Sequence, residues 1–121
     1  MKKSILIIED NEDIRDSMAE LLDLEGYSVI TADCGIAGLN LAVQYVPDLV
    51  ICDIVMSGMD GYSVYNALQK DIKTKDIPVI FSTAKSEKSD RQKALVLGVE
   101  NYLVKPFNDK DLINCVKKCM K

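Results

Sequence analysis

The chain has 121 residues, 48% hydrophobic and 28% charged, with a formal net charge of −4 and neither histidine nor tryptophan. That length suits one domain with a real core and no second folded unit beside it, so any effector is expected to be another chain. The acidic balance argues against a nucleic-acid surface, no stretch is long enough to span a bilayer, and without histidine the chain has neither an imidazole base nor a phosphohistidine of its own.

The opening MKKSILII has the basic start of an export signal. Acidic EDNED follows after only four strongly apolar residues, short of the roughly 7–15 such a signal needs. SILII (4–8) reads instead as a first strand. Asn11 then stands before an acidic first turn, where Glu12 and Asp13 suit a helix start. Ile14, Met18, Leu21 and Leu22 form one helical stripe, and Gly26 sits where that helix should stop. YSVIT (27–31), DLVIC (48–52), PVIFS (78–82) and NYLV (101–104) read as four further strands. Val64, Ala67 and Leu68 make a second stripe. Ser89, three residues ahead of Gln92, predicts the start of a fourth helix, and Gly98 its end. Asn108 opens a last helix with the stripe Leu112, Cys115, Val116 and Cys119, and Lys117, Lys118 and Lys121 put favourable positive charge at its end. The four cysteines, Cys34, Cys52, Cys115 and Cys119, show no CxxC spacing and read as reduced, buried or half-buried thiols of a reducing cytoplasm.

Strands that are apolar throughout are buried on both faces, as in a parallel sheet covered by helices. Five β–α units predict a doubly wound α/β fold, a flavodoxin-like (βα)5 three-layer sandwich with strand order 2-1-3-4-5. The carboxyl ends of strands 1, 3, 4 and 5 then carry Glu9–Asp10, Asp53, Ser82–Thr83 and Lys105–Pro106. With strand 3 at the centre, three carboxylates converge opposite a hydroxyl and an ammonium. Like charges that close need a cation or a shared proton, and Mg²⁺, which takes one or two carboxylates and a substrate phosphate, is the natural partner. An Asp53 oxygen could then attack phosphorus while Mg²⁺, Lys105 and Thr83 offset the charge of the transferring group. Singly, each feature has a plainer explanation: Asp60–Gly61 as a turn, Lys105–Pro106 as a loop, Thr83 as a strand-end hydroxyl. Their occurrence together at one end of four strands points to a site.

ILIIEDN, CDIVMSGMDG, VIFSTA and NYLVKPF resemble, in order and spacing, the four signature regions of the receiver domain of bacterial two-component response regulators. The resemblance spans essentially the whole chain, so residues 1–121 are expected to form one receiver domain, similar to a single-domain chemotaxis regulator, and a stand-alone regulator and a receiver excised from a longer protein look alike at this point. It implies that Asp53 is the phospho-acceptor, that Asp10, Asp53 and the Val55 backbone carbonyl hold Mg²⁺ directly, and that Glu9 does so largely through water. It further implies that Thr83 and Lys105 bind the phosphoryl group, that Lys105 pairs with Asp53 before transfer, and that the peptide bond before Pro106 is cis. Thr83 and Tyr102 would be the switch pair, and the face of the fourth helix, fifth strand and fifth helix the output surface.

The partners so implied are a sensor histidine kinase or histidine phosphotransfer protein as donor and an unspecified downstream protein, without direct nucleic-acid contact or membrane insertion, in the cytoplasm. The chain would be no enzyme beyond its own phosphorylation and dephosphorylation. Ser57 stands where the family commonly has proline, which predicts a more mobile loop after Asp53, and Glu9 where aspartate is frequent. The resemblance further implies that Val55 and Lys85 flank the path of water to the phosphoryl group, and Val55, with no hydrogen bond to offer, then predicts slow self-dephosphorylation. Two rival classes fit less well. A flavodoxin-like electron carrier needs a phosphate-cradling loop where EDNED stands. An aspartate-based phosphohydrolase needs a second acid and a substrate-enclosing cap, for which no segment is spare.

Overall fold

Residues 2–83 and 101–120 are described by the computed structural model. Five parallel strands, β1 (Ser4–Ile8), β2 (Ser28–Ala32), β3 (Leu49–Asp53), β4 (Val79–Thr83) and β5 (Asn101–Val104), form one sheet in the order β2-β1-β3-β4-β5. This is the order expected from five β–α units. Helices α1 (Glu12–Leu24), α2 (Gly35–Tyr45), α3 (Gly61–Lys70) and a C-terminal helix (Asp109–Cys119) cover its two faces.

The period-2 alternation of each strand divides the core in two. Ile5, Ile7, Leu49, Ile51, Ile80 and Leu103 meet Met18 and Leu22 of α1 and Leu112 and Val116 of the C-terminal helix on one face. Leu6, Ile8, Val50, Cys52 and Phe81 meet Ala42 of α2 and Val64 and Leu68 of α3 on the other. The central strands are therefore apolar on both sides, and each fully buried Leu or Ile contributes about 1.5–3 kcal/mol. β2, at the sheet edge, is only partly covered. Gly38 lets α2 lie close over β1, since a Cβ there would fall 2.4 Å from the Ile8 side chain.

The helix signals act as their chemistry predicts. The Asn11 side chain accepts from Ile14 N at 3.0 Å, Gly26 takes φ +97° past the end of α1, and Asn108 with Asp111 forms a capping box. Strands β2, β3 and β4 each run one residue later than the apolar pattern suggests. Tyr27 N is used by Leu22 O in closing α1, and Pro78 O is met by Val50 N just before β4 starts. The shift makes Asp53 and Thr83 the last residues of their strands. Ser89, Gln92 and Gly98 of the expected fourth helix, and Lys85, lie outside the described residues. All four cysteines are free, Cys52 buried and the others half-buried. Among the described residues no helix is long and apolar enough to cross a membrane.

Candidate functional site

Five backbone segments converge at the carboxyl rim of the sheet. Just past β1, Glu9 N donates to Ala32 O at 3.0 Å, which holds Glu9 in line with the strand and buries it to 1% exposure. Asp10, next in the chain, is exposed. Asp53 ends β3 opposite Ser82 and is 5% exposed, and Thr83 ends β4 at 1%. Lys105 N donates to Thr83 O at 2.8 Å, so the exit of β5 hangs on the end of β4. The Lys105–Pro106 peptide bond is cis, as the family resemblance implies.

These anchors bring the charged groups together. Lys105 Nζ contacts Glu9 Oε1 and lies 3.3 Å from Asp53 Oδ2. Carboxylate oxygens of Glu9, Asp10 and Asp53 lie within 4.8 Å of one another. The second Glu9 oxygen, Oε2, accepts from Asn11 N at 3.1 Å. Lys105 thus bridges two acids rather than pairing with Asp53 alone, and its contact with Glu9 is the shorter. Glutamate, one methylene longer than the aspartate frequent at this position, carries its carboxylate that much further toward the ammonium.

The electrostatics follow from two buried acids sharing one cation. Burial, followed by the negative charge of Glu9, pushes the Asp53 carboxyl up to about 6, against the opposing pull of the Lys105 charge and hydrogen bond. Burial works to lower the Lys105 pKa, but the hydrogen bond that Lys105 donates to Glu9 and the charges of Asp53 and Glu9 outweigh it and the pKa is raised. With Asp10 added at the open side, the site has an excess of hard oxygen donors suited to a dication such as Mg²⁺.

The loop after Asp53 is tied back onto the strand ends. Ile54 N donates to Ser82 O at 2.9 Å, and Gly61 N to Ile54 O at 2.8 Å. Gly58 adopts φ +82° within it. Asp60 caps α3, its side chain accepting from Ser63 N at 2.8 Å. A Cβ on Gly61 would lie 2.6 Å from the Asp53 carbonyl oxygen and 2.8 Å from Ile54 Cα. Asp60–Gly61 is therefore more than a turn: the first residue caps a helix and the second lets that helix seat against the backbone of Asp53. Asp60, four residues ahead of the Val64–Leu68 stripe, is a signal from which the cap could have been read; nothing local signals the close approach.

Val55 and Ser57 are exposed. Tyr102, the register partner of Phe81, is half-buried and packs against the core cluster that contains Phe81. Tyr62 and Tyr65 meet the Phe81 ring edge-on at 5.4 and 5.9 Å. Arg15 was not singled out by sequence reasoning, yet its Nη1 donates to the Glu9 carbonyl at 3.0 Å and braces the loop carrying Glu9 and Asp10.

Comparison with known proteins agrees with this architecture. The sequence pattern of the response regulator receiver domain matches residues 5–117, and the chain belongs to that family. It is 42% identical over 111 residues to a probable transcriptional regulator, ycf27, of Guillardia theta, covering 92% of this chain and 42% of the relative. It is 37% identical over 117 residues to the DNA-binding dual master transcriptional regulator RpaA of a Synechocystis strain, covering 97% of this chain and 48% of the relative. The chain spans about half the length of the curated relatives it matches. The solved structure of the chemotaxis protein CheY4 of Vibrio cholerae superposes with a TM-score of 0.94 at 27% identity, covering 98% of this chain and 99% of that one. The chain is the receiver domain of a two-component response regulator.

Proposed function

We propose that the domain is a phospho-accepting switch in which Asp53 takes a phosphoryl group from a phosphohistidine on a sensor kinase or phosphotransfer protein. The observation that carries this reading is the buried Asp53 carboxylate between two further acids and the Lys105 ammonium, at the sheet rim where α/β proteins bind ligands. In the transfer an Asp53 oxygen forms a bond to phosphorus as the donor's N–P bond breaks and the imidazole leaves. Lys105, already between Glu9 and Asp53, and the Thr83 hydroxyl at the end of β4 neutralise charge on the transferring oxygens.

The donor set fits Mg²⁺, with Asp10, Asp53 and the Val55 carbonyl as direct ligands. Both Glu9 oxygens already have partners, which supports a role for Glu9 through water. Bound there, Mg²⁺ would offset phosphoryl charge. After transfer Lys105 turns to the new phosphoryl group, Thr83 follows it, and Tyr102 moves inward, altering the face that includes β5 and the C-terminal helix. Val55 has no group to hold an attacking water, which supports a long-lived phosphoryl state, and the domain's chemistry is limited to its own phosphorylation and hydrolysis. The names of its relatives support transcription as one destination of the signal.

Intact mass after incubation with Mg²⁺ and phosphoramidate tests the central step. The expected result is a gain of one phosphoryl group, about 80 Da, in the parent and none in Asp53→Ala. No gain in the parent, or an equal gain in Asp53→Ala, overturns the reading.

A further inference from the structure

We propose that Cys115 and Cys119 form a two-thiolate site for a soft monovalent metal ion of the copper(I) class. The two residues stand one turn apart on the C-terminal helix, both half-buried and both free, and both pack against the core cluster beneath β5. The thiols perturb each other: after burial, the charge of Cys119 and hydrogen bonding with it raise Cys115 to about 11. Hydrogen bonding to Cys115 offsets part of the rise that burial causes at Cys119. Lys118 sits beside them and favours the thiolate form of each.

Geometry separates the possible uses of such a pair. Residues four apart on a helix hold their Cβ atoms about 5–6 Å from each other, whereas a disulfide needs about 3.5–4.5 Å, so oxidation would require the last turn to deform. A metal bonded to both sulfurs at about 2.3 Å each spans about 4–5 Å between them and leaves the helix intact. Donor number then selects the metal. Glu9, Asp10 and Asp53 are the group of three or more His, Cys, Asp or Glu donors that converges, so among the described residues no His, Asp, Glu or third Cys joins the two thiols. Structural zinc takes four ligands, while soft thiolates select copper(I), which accepts two. On binding, two S–H bonds break, two Cu–S bonds form and two protons pass to solvent, with no change of oxidation state. Cys52 is buried and Cys34 precedes α2, so neither belongs to the pair.

The test is competition for copper(I) between the fully reduced chain and bathocuproine disulfonate without oxygen. The parent and Cys34→Ser should each withhold one equivalent. Cys115→Ser and Cys119→Ser should each weaken retention by about a hundredfold, because the second thiolate binds intramolecularly. X-ray absorption of the loaded parent should show two sulfur neighbours, a result that does not depend on how the variants fold. Undiminished retention in a folded Cys115→Ser/Cys119→Ser double variant, a shell of three or more ligands, or equally tight zinc binding overturns the assignment.

Discussion

Strand β3 has an aspartate at each end, and the two live in opposite circumstances. Asp48, just before the strand, is exposed and hydrogen-bonded on both sides of its backbone and side chain. Its Oδ2 accepts from Ser4 N at 2.8 Å, and its own N donates to Ser4 O at 2.9 Å. Asp53, five residues on, is buried, its carboxylate facing Glu9 and Lys105, and its pKa is pushed up to about 6. The first acid stitches β1 to the entry of β3 while remaining in water. The second has lost its water and gained a neighbour of like charge, so even with Lys105 beside it its anion is poorly stabilised until a metal cation or an electrophile arrives. Asp48 lowers the free energy of the fold, whereas Asp53 raises it in return for reactivity.

The contrast breaks most severely if the cation is removed. Lys105→Ala leaves two buried acids without their shared ammonium, and in EDTA at neutral pH should cost about 3 kcal/mol in urea unfolding. Added Mg²⁺ should recover more stability in this variant than in the parent, because it restores the missing positive charge. Equal Mg²⁺ effects in both proteins would show that Lys105 does not neutralise the acids.

Replacing Asp53 itself should move stability the other way. A carboxyl whose folded pKa, about 6, lies above its ordinary 3.8 binds its proton more tightly in the fold. Its contribution is therefore most favourable below pH 4 and is lost as the pH rises through 6. Without metal, Asp53→Asn should gain about 2 kcal/mol at pH 7.5, and the gain should vanish near pH 4. A gain independent of pH, or a loss, would mean that charge burial at Asp53 is not what destabilises the rim.

Gly61→Ala sharpens the comparison without touching a charge. The added methyl meets the Asp53 carbonyl and the Ile54 backbone, neither of which yields as a side-chain tip would. The expected cost is about 1–2 kcal/mol, with slower phosphoryl uptake, measured by thermal unfolding and by the time course of mass gain. Unchanged uptake would show that the seat of α3 does not set the position of Asp53. Smallest is Asp48→Ala, which should lose about 1 kcal/mol and accept phosphate at the parental rate. A slowed rate would mean that the amino-terminal ties of β3 reach the site.

Much of this molecule is set by short-range pattern. The apolar runs ending at Ile8, Cys52 and Ser82, the caps at Asn11 and Asn108, and the stop at Gly26 are each decided within a few residues, because strand and helix periods repeat over two and about four positions. From them follow the five-strand parallel sheet and the presence of Glu9, Asp10, Asp53, Thr83 and Lys105 at one rim. Tertiary structure decided which of those atoms meet. The shared ammonium joins residues 96 positions apart in the chain, and Lys105 reaches Glu9 as well as Asp53 only because the β1–β3–β4–β5 ladders stack their ends in register. The one-residue shift that makes Asp53 part of β3, the Arg15 brace on Glu9, and the seat of Gly61 against the Asp53 carbonyl have the same origin. Each depends on how separate segments lie against one another in space, a relation that no window of local sequence contains.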